Sequence, residues 1–191
     1  AGNTQTFTAL VDANGNFTVD VPGALAEGDY DVTATATDEA GNSAAANETG
    51  TIDTTAPSLT LTPQGEGNDT TPTLTGTTDL AEGSVVTLFV TDSTGNIQTL
   101  NATVDASGNF SIKVTDPLPE GGYTVEAIAT DEAGNSTTIN DNTGVIDTSA
   151  PELTLDELTP ENNTTPTITG TADLPAGSII TLTVTDSAGN T

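Results

Sequence analysis

The sequence predicts an all-β protein made of tandem Greek-key sandwiches. Two patterns point there: short apolar segments that alternate in period two between Asp-, Asn- and Gly-rich turns, and a long internal repeat with no helical period anywhere in it. The repeat is read directly. IDTTAPSLTL, with Asp53 and Pro57, returns as IDTSAPELTL, with Asp147 and Pro151, so that 147 − 53 = 94. TPTLTGT around Pro72 returns as TPTITGT around Pro166, again 94 apart. VDANGNFTV at Asp12 returns as VDASGNFSI at Asp105, and TDEAGN at Asp38 returns at Asp131, both 93 apart. A unit of this length is one small β-sandwich. The expected organisation is the C-terminal half of a repeat over 1–52, a complete repeat over 53–146 and the N-terminal half of a third over 147–191.

Within the complete repeat, strands are expected at 58–62 and 71–77, on either side of a Gly-rich reversal holding Glu66, Asn68 and Asp69. A strand at 84–91 ends in the turn 92–96, where Asp, Asn and Gly supply turn and left-handed conformations. Residues 97–104 form the next strand. A second Asp-x-x-Gly-Asn turn, 105–109, then sets Phe110, Ile112 and Val114 on the core face and turns Lys113 to solvent. After the loop 116–122, strand 123–130 puts Tyr123, Val125, Ala127 and Ala129 on one face and Glu126 on the other; strand 136–146 closes the unit. About seven short strands of this kind make a Greek-key immunoglobulin-like β-sandwich. Tyr123, which follows Pro119-Glu120-Gly121-Gly122, and its counterpart Tyr30 resemble the tyrosine corner of such sandwiches and read as structural.

Residues 1–4, Ala-Gly-Asn-Thr, repeat as residues 188–191. Half a sandwich leaves open strand edges and half a core. The expectation is therefore that residues 147–191 of one copy complete residues 1–52 of the next.

Composition narrows the function. The 191 residues hold 28 Asp plus Glu against one Lys or Arg, a net charge of −27, and Lys113 is the one cation. Nucleic acid is excluded as a partner, because binding it depends on Lys and Arg releasing counterions. Without Cys or His there is no disulfide, no thiolate, no Ser-His-Asp triad and no usual zinc site. Without Trp and with two Tyr, a carboxylate pair would lack the groups that hold a sugar. An enzyme is not expected. No run of 18 apolar residues exists, so the segment does not insert into a membrane and reads as internal to something longer. Disorder is disfavoured, because the acidic residues are dispersed among apolar runs such as 84–90.

The IDTTAP junction, the TPTLTGT strand, the TDxxGN turns and the near absence of basic residues together resemble the bacterial Ig-like repeats of giant surface adhesins, including those secreted by the type I system. The resemblance covers the full chain. It implies an extracellular extender at the bacterial cell surface, carrying distal ligand-binding domains, with calcium at or near many domain junctions. The nonapeptide calcium repeats of export regions do not occur in this sequence, as expected of an internal segment.

Strand direction gives the acidic residues a place. The segment before residue 58, the loop after 77 and the loop after 130 should meet at one pole, bringing Asp53, Asp79, Asp131 and Glu132 within reach of one another. Asp147 and Asp173 repeat two of these positions in the third unit, and Asp38 and Glu39 belong to the first. Calcium takes six to eight oxygens from carboxylates, carbonyls and amides, all of which such turns offer. Glu27 and Glu120, from the preceding repeats, would face Asp53 and Asp147 across a bound cation. The alternative is that each Asp caps its own turn; that is the expectation for Asp12, Asp92, Asp105 and Asp186. No EF-hand loop is present. Lys113 points outward and has Asp20 in its place in the first unit, which disfavours a Lys crosslink.

Two functions remain. One is a stiff extender of a large adhesin, rigidified by calcium. The other is a self-associating module of filaments or biofilm matrix, in which neighbouring copies complete each other's half-domains.

Overall fold

The computed structural model describes residues 4–187 and residue 189; the correspondence of residues 1–4 with 188–191 falls mostly outside them. The described chain is all-β: β1 Gly28–Thr37, β2 Ser43–Ile52, β3 Leu59–Leu61, β4 Glu66–Gly67, β5 Thr73–Thr78, β6 Val85–Thr91, β7 Ile97–Thr103, β8 Asn109–Lys113, β9 Gly121–Thr130, β10 Ser136–Ile146, β11 Leu153–Leu155 and β12 Gly170–Ala172. It divides into two compact units, Ala1–Ile146 and Asp147–Thr191.

Residues 59–146 make a two-sheet sandwich. One sheet has the order β3-β5-β8 and the other β4-β10-β9-β6-β7. Each crossing between sheets buries one face of period-two alternation. Leu74, Val86, Leu88, Val90, Val104, Phe110, Val114, Val125 and Ile146 are fully enclosed between them. Phe110 lies over Gly76 of the paired strand, where a Cβ would stand 2.4 Å from the ring and 2.1 Å from the Thr60 carbonyl. Position 76 therefore requires glycine. Lys113 is exposed, as its place in the alternation requires.

Two features go beyond the sequence reading. The Gly-rich reversal at 63–70 contains a short strand, β4, which pairs parallel with β10 at Val145↔Glu66 and Ile146↔Gly67. It is held there by Val145 N–H donating to the Gly65 carbonyl at 2.9 Å. The second is a β-bulge. Val125 pairs with Asp141 and Tyr123 with Gly144, two steps on one strand against three on the other. In the β1–β2 hairpin Val32 pairs with Glu48 and Tyr30 with Gly50, two steps against two. The extra residue of the bulge is the reason the repeat period changes from 93 before it to 94 after it.

The bulge is anchored. Asp141, nearly buried, accepts from the Thr143 hydroxyl at 2.6 Å, the Thr143 N–H at 3.0 Å and the Gln64 N–H at 2.9 Å. Burial pushes its carboxyl up, but the Thr143 hydroxyl and these amides outweigh burial and hold it below the ordinary value. Beside it the Tyr123 ring lies against Gly144, as Tyr30 lies against Gly50 in the first hairpin.

The remaining segments are less enclosed. Residues 4–27 form no strand, yet Gln5 clamps Gly23 through two bonds, Nε2 to the carbonyl at 2.9 Å and N–H to Oε1 at 2.8 Å. The complete repeat makes the same clamp between Gln98 and Asp116. In the second unit β11 and β12 pair as β3 and β5 do, with the Thr154 and Thr171 hydroxyls 2.7 Å apart like those of Thr60 and Thr77.

Candidate functional site at the repeat junction

The stretch 53–58 leads from β2 into β3 and is tied down from three directions. Asp79, in the loop after β5, accepts the Ser58 N–H at 2.8 Å. From the far side, the Thr137 hydroxyl donates to the Pro57 carbonyl at 2.5 Å and the Asn135 amide to the Asp53 carbonyl at 3.1 Å. From the preceding repeat, Glu27 accepts the Thr54 hydroxyl at 2.5 Å and the Thr55 hydroxyl. These two hydroxyls, Thr54 first, hold the Glu27 carboxyl below its ordinary value. At this junction the loops after β5 and β9 both bond one connecting segment, 53–58.

Several of these carboxylates also bond within their own turns. Asp53 Oδ1 accepts its own Thr55 N–H at 3.0 Å, closing an Asx turn. Asp131 accepts the Asn135 N–H at 2.8 Å and the Asn135 amide at 2.9 Å, and Asp38 makes the same pair of bonds with Asn42 at 2.8 and 2.9 Å. The side-chain amides of Asn135 and Asn42 are the leading reason both carboxyls lie below their ordinary value. Glu132 and Glu39 are exposed in the same turns. Asp147 Oδ1 accepts the Ser149 N–H at 3.0 Å, as Asp53 does with Thr55, and Asp173 N–H donates to the Glu152 carbonyl at 3.3 Å.

Of the turns expected to be self-capping, those of Asp12, Asp92 and Asp105 are capped by their own carboxylates. Asp12 accepts Asn14 and Asn16 N–H, both at 2.8 Å, and Asp105 accepts Ser107 at 2.8 Å and Asn109 at 2.9 Å. Asp92 accepts Thr94 and Asn96 N–H and the Thr94 hydroxyl; that hydroxyl leads the effects that bring its carboxyl down to about 2. At Asp186 the turn closes through the backbone, Gly189 N–H donating to the Asp186 carbonyl at 3.0 Å. What sets Asp131 apart is its neighbour, because Asn135 bridges from Asp131 to the connecting segment 53–58. Sequence reasoning missed Asn135 and Thr137. The available signal was the Asn that ends every TDxxGN turn, read there only as a turn residue.

The donor set can be weighed against calcium. About the Asn135 amide nitrogen stand a carboxylate oxygen of Asp131 at 2.9 Å and the Asp53 carbonyl at 3.1 Å. Turning that amide over would add its own oxygen. Among the described residues no three carboxylates come together as a metal-holding group. The donors are thus of the oxygen types a hard cation takes, drawn from two chain segments, with water needed to complete the shell. No helix among the described residues is long and apolar enough to cross a membrane.

The sequence model of a family described as bacterial Ig-like domain matches residues 1–54 and 64–148. No curated protein matches the chain. Among solved structures, it is similar to a tetra-tandem repeat in the extending region of a large adhesion protein, at 36% identity and a TM-score of 0.49, over 95% of this chain and 49% of that one. It is also similar to a Ca2+-stabilised adhesin that helps an Antarctic bacterium reach out and bind ice, at 28% identity and a TM-score of 0.38, over 76% of this chain and 39% of that one. The chain therefore spans about half the length of the first structure and less of the second.

Proposed function

The chain belongs to the bacterial Ig-like domain family, a family of structural and non-enzymatic repeats, and on that premise we propose that it is an extender segment of a large adhesin at the bacterial cell surface. Its activity is reach and stiffness. The observation that carries this reading is the tied junction: Asn135, Thr137 and Asp79 fasten residues 53–58 to the body of their own repeat, and Glu27 of the preceding repeat bonds Thr54 and Thr55, so a side chain as well as the peptide fixes one repeat to the next. This is the role named for the tandem-repeat structure above, and here it rests on the chain's own period, family and junction.

Calcium is part of the proposal. Asp131, the Asp53 carbonyl and the Asn135 amide would hold the ion, with Asp53, Asp79 and Glu132 supplying nearby negative charge and Asp147 and Asp173 standing at the matching positions of the next repeat. Asp38 and Glu39 are the first repeat's counterparts of Asp131 and Glu132. Such an ion would neutralise part of a chain with a net charge of −27 and fix the angle between repeats. Added calcium should raise the melting temperature and narrow the distribution of end-to-end distances seen by small-angle scattering, and Asp131→Ala should remove both effects. Unchanged melting and scattering in calcium and in chelator would defeat this part. The division into repeats at 52/53 and 146/147 belongs to the same proposal. Limited proteolysis cutting first near these junctions would support it.

A further inference from the structure

The loop from β8 to β9 holds the one Asp-Pro bond of the sequence, between Asp116 and Pro117. Both residues are exposed, at a bend between the buried side chains of Val114 and Leu118. Val114 N–H donates to the Pro72 carbonyl at 3.0 Å and Leu118 N–H to the Thr70 carbonyl at 2.7 Å, so the chain is fastened on both sides of the bend. At its tip the Gln98 side chain takes both main-chain groups of residue 116. Its Nε2 donates to the Asp116 carbonyl at 2.8 Å, and its Oε1 accepts the Asp116 N–H at 2.9 Å.

The first repeat separates what this clamp needs from what it does not. Gln5 makes the same two bonds to Gly23, and the residue that follows is Ala24. Neither a carboxylate nor a proline is required to hold the loop, so the chemistry of Asp116 and Pro117 is surplus to the clamp. The Asp116 carboxylate also differs from those of Asp12, Asp92, Asp105 and Asp131: among the described residues it caps no turn and accepts no hydrogen bond, which leaves it able to turn toward its own main chain.

We propose that the bond between Asp116 and Pro117 is self-cleaving, with the Asp116 carboxyl as nucleophile and Gln98 as the group that polarises the carbonyl under attack. An oxygen of the Asp116 carboxyl adds to the carbon of its own main-chain carbonyl and closes a ring. The Gln98 amide, already bonded to the carbonyl oxygen, steadies the negative charge that develops there. The C–N bond to Pro117 then breaks. Its electron pair stays on the proline nitrogen, which takes the carboxyl proton and leaves as a secondary amine. Water opens the cyclic anhydride, so that residue 116 ends with a free main-chain carboxyl beside its own. One water is consumed and nothing is oxidised or reduced. The attacking and attacked groups belong to one residue, so no encounter has to be arranged. Proline favours the departure because its nitrogen is doubly alkylated and carries no N–H to conjugate and bond as other amides do.

The cut falls between β8, paired with β5 in one sheet, and β9, paired with β6 and β10 in the other. Both new ends stay fastened through Val114 and Leu118, so the sandwich survives while the covalent thread through it is lost. In an extender such a bond is a break point. That use rests on the extender reading; the cleavage does not.

The test is intact mass spectrometry on the whole 191-residue protein, kept folded in mild acid. Two products should appear, 1–116 and 117–191, with masses that sum to the parent plus one water and with Pro117 as a new N-terminus. Asp116→Ala should abolish them, and Pro117→Ala should slow their appearance severely. Gln98→Ala should slow the cut by about tenfold or more in the folded protein and leave the rate in urea unchanged. The bond between Gly23 and Ala24, under the equivalent clamp, should stay intact. The cut protein should elute as one body in size-exclusion chromatography and separate in urea; products that part without urea would contradict the fastening at Val114 and Leu118. The inference is overturned by a folded protein left uncut at this bond, by cleavage no faster in the folded protein than in urea, or by a Gln98→Ala rate equal to the parent's. None of these results bears on the extender reading, which does not use residue 116.

Discussion

Residues 85–91, VVTLFVT, and 179–185, IITLTVT, are close to the same sequence, yet the first is β6 at the centre of a sheet and the second is not a strand. The first has β9 on one side and β7 on the other. The second has no such neighbours among the described residues. Alternation and β-branched composition say that a segment suits a pleated, half-buried surface; pairing and burial make it a strand. Turns behave in the opposite way. Asp12 in the first repeat and Asp105 in the complete one make the same two bonds to the amides two and four residues on, because every atom involved is local.

This contrast is sharpest in the core. Phe110→Ala should cost the complete repeat about 3–5 kcal/mol, measured by denaturant unfolding. Phe17→Ala, the same change at the same repeat position, should leave that transition within about 0.5 kcal/mol, as an exposed site does. Equal losses would mean that residue 17 is enclosed.

A smaller effect is expected at the bulge, which the complete repeat has and the β1–β2 hairpin lacks. Asp141→Ala leaves the Gln64 and Thr143 amides without their acceptor and should cost about 1–3 kcal/mol. Amide exchange at Gln64 and Gly65 should rise with it, whereas Glu48→Ala in the regular hairpin should change little.

Smallest is the capping of a turn. The Asp92 carboxyl lies at about 2, below its ordinary 3.8, so its contribution is present above the ordinary value and disappears as pH falls from about 4 to about 2. The melting temperature of Asp92→Asn should fall below that of the unmodified protein at neutral pH, and the gap should close by pH 2. A gap that persists at pH 2 would show that the turn is held by something other than the charge.

The same division between local and distant effects sets what could be read from the sequence. Core alternation at Phe110, Ile112 and Val114, the outward Lys113 and the face of Tyr123, Val125, Ala127 and Ala129 were all legible, because each follows from period two along one strand. The change of period from 93 to 94 was visible as a number, but its cause needed the pairing of Asp141 and Gly144 with a distant strand. β4 was read as part of a turn because two residues carry no alternation, and only the adjacent β10 makes them a strand. At the junction, topology brought Asp53, Asp79 and Asp131 to one end. It did not give the bridge from Asp131 through Asn135 to the Asp53 carbonyl, which joins residues 82 apart in sequence.

Amide hydrogen exchange on the dilute protein compares the two β6-like segments most directly. Val86, Leu88 and Val90 should be protected to the level of global unfolding, while Ile180, Leu182 and Val184 exchange faster by orders of magnitude. Equal protection of both segments at high dilution would contradict the account, since it would mean that the sequence makes this strand without its neighbours.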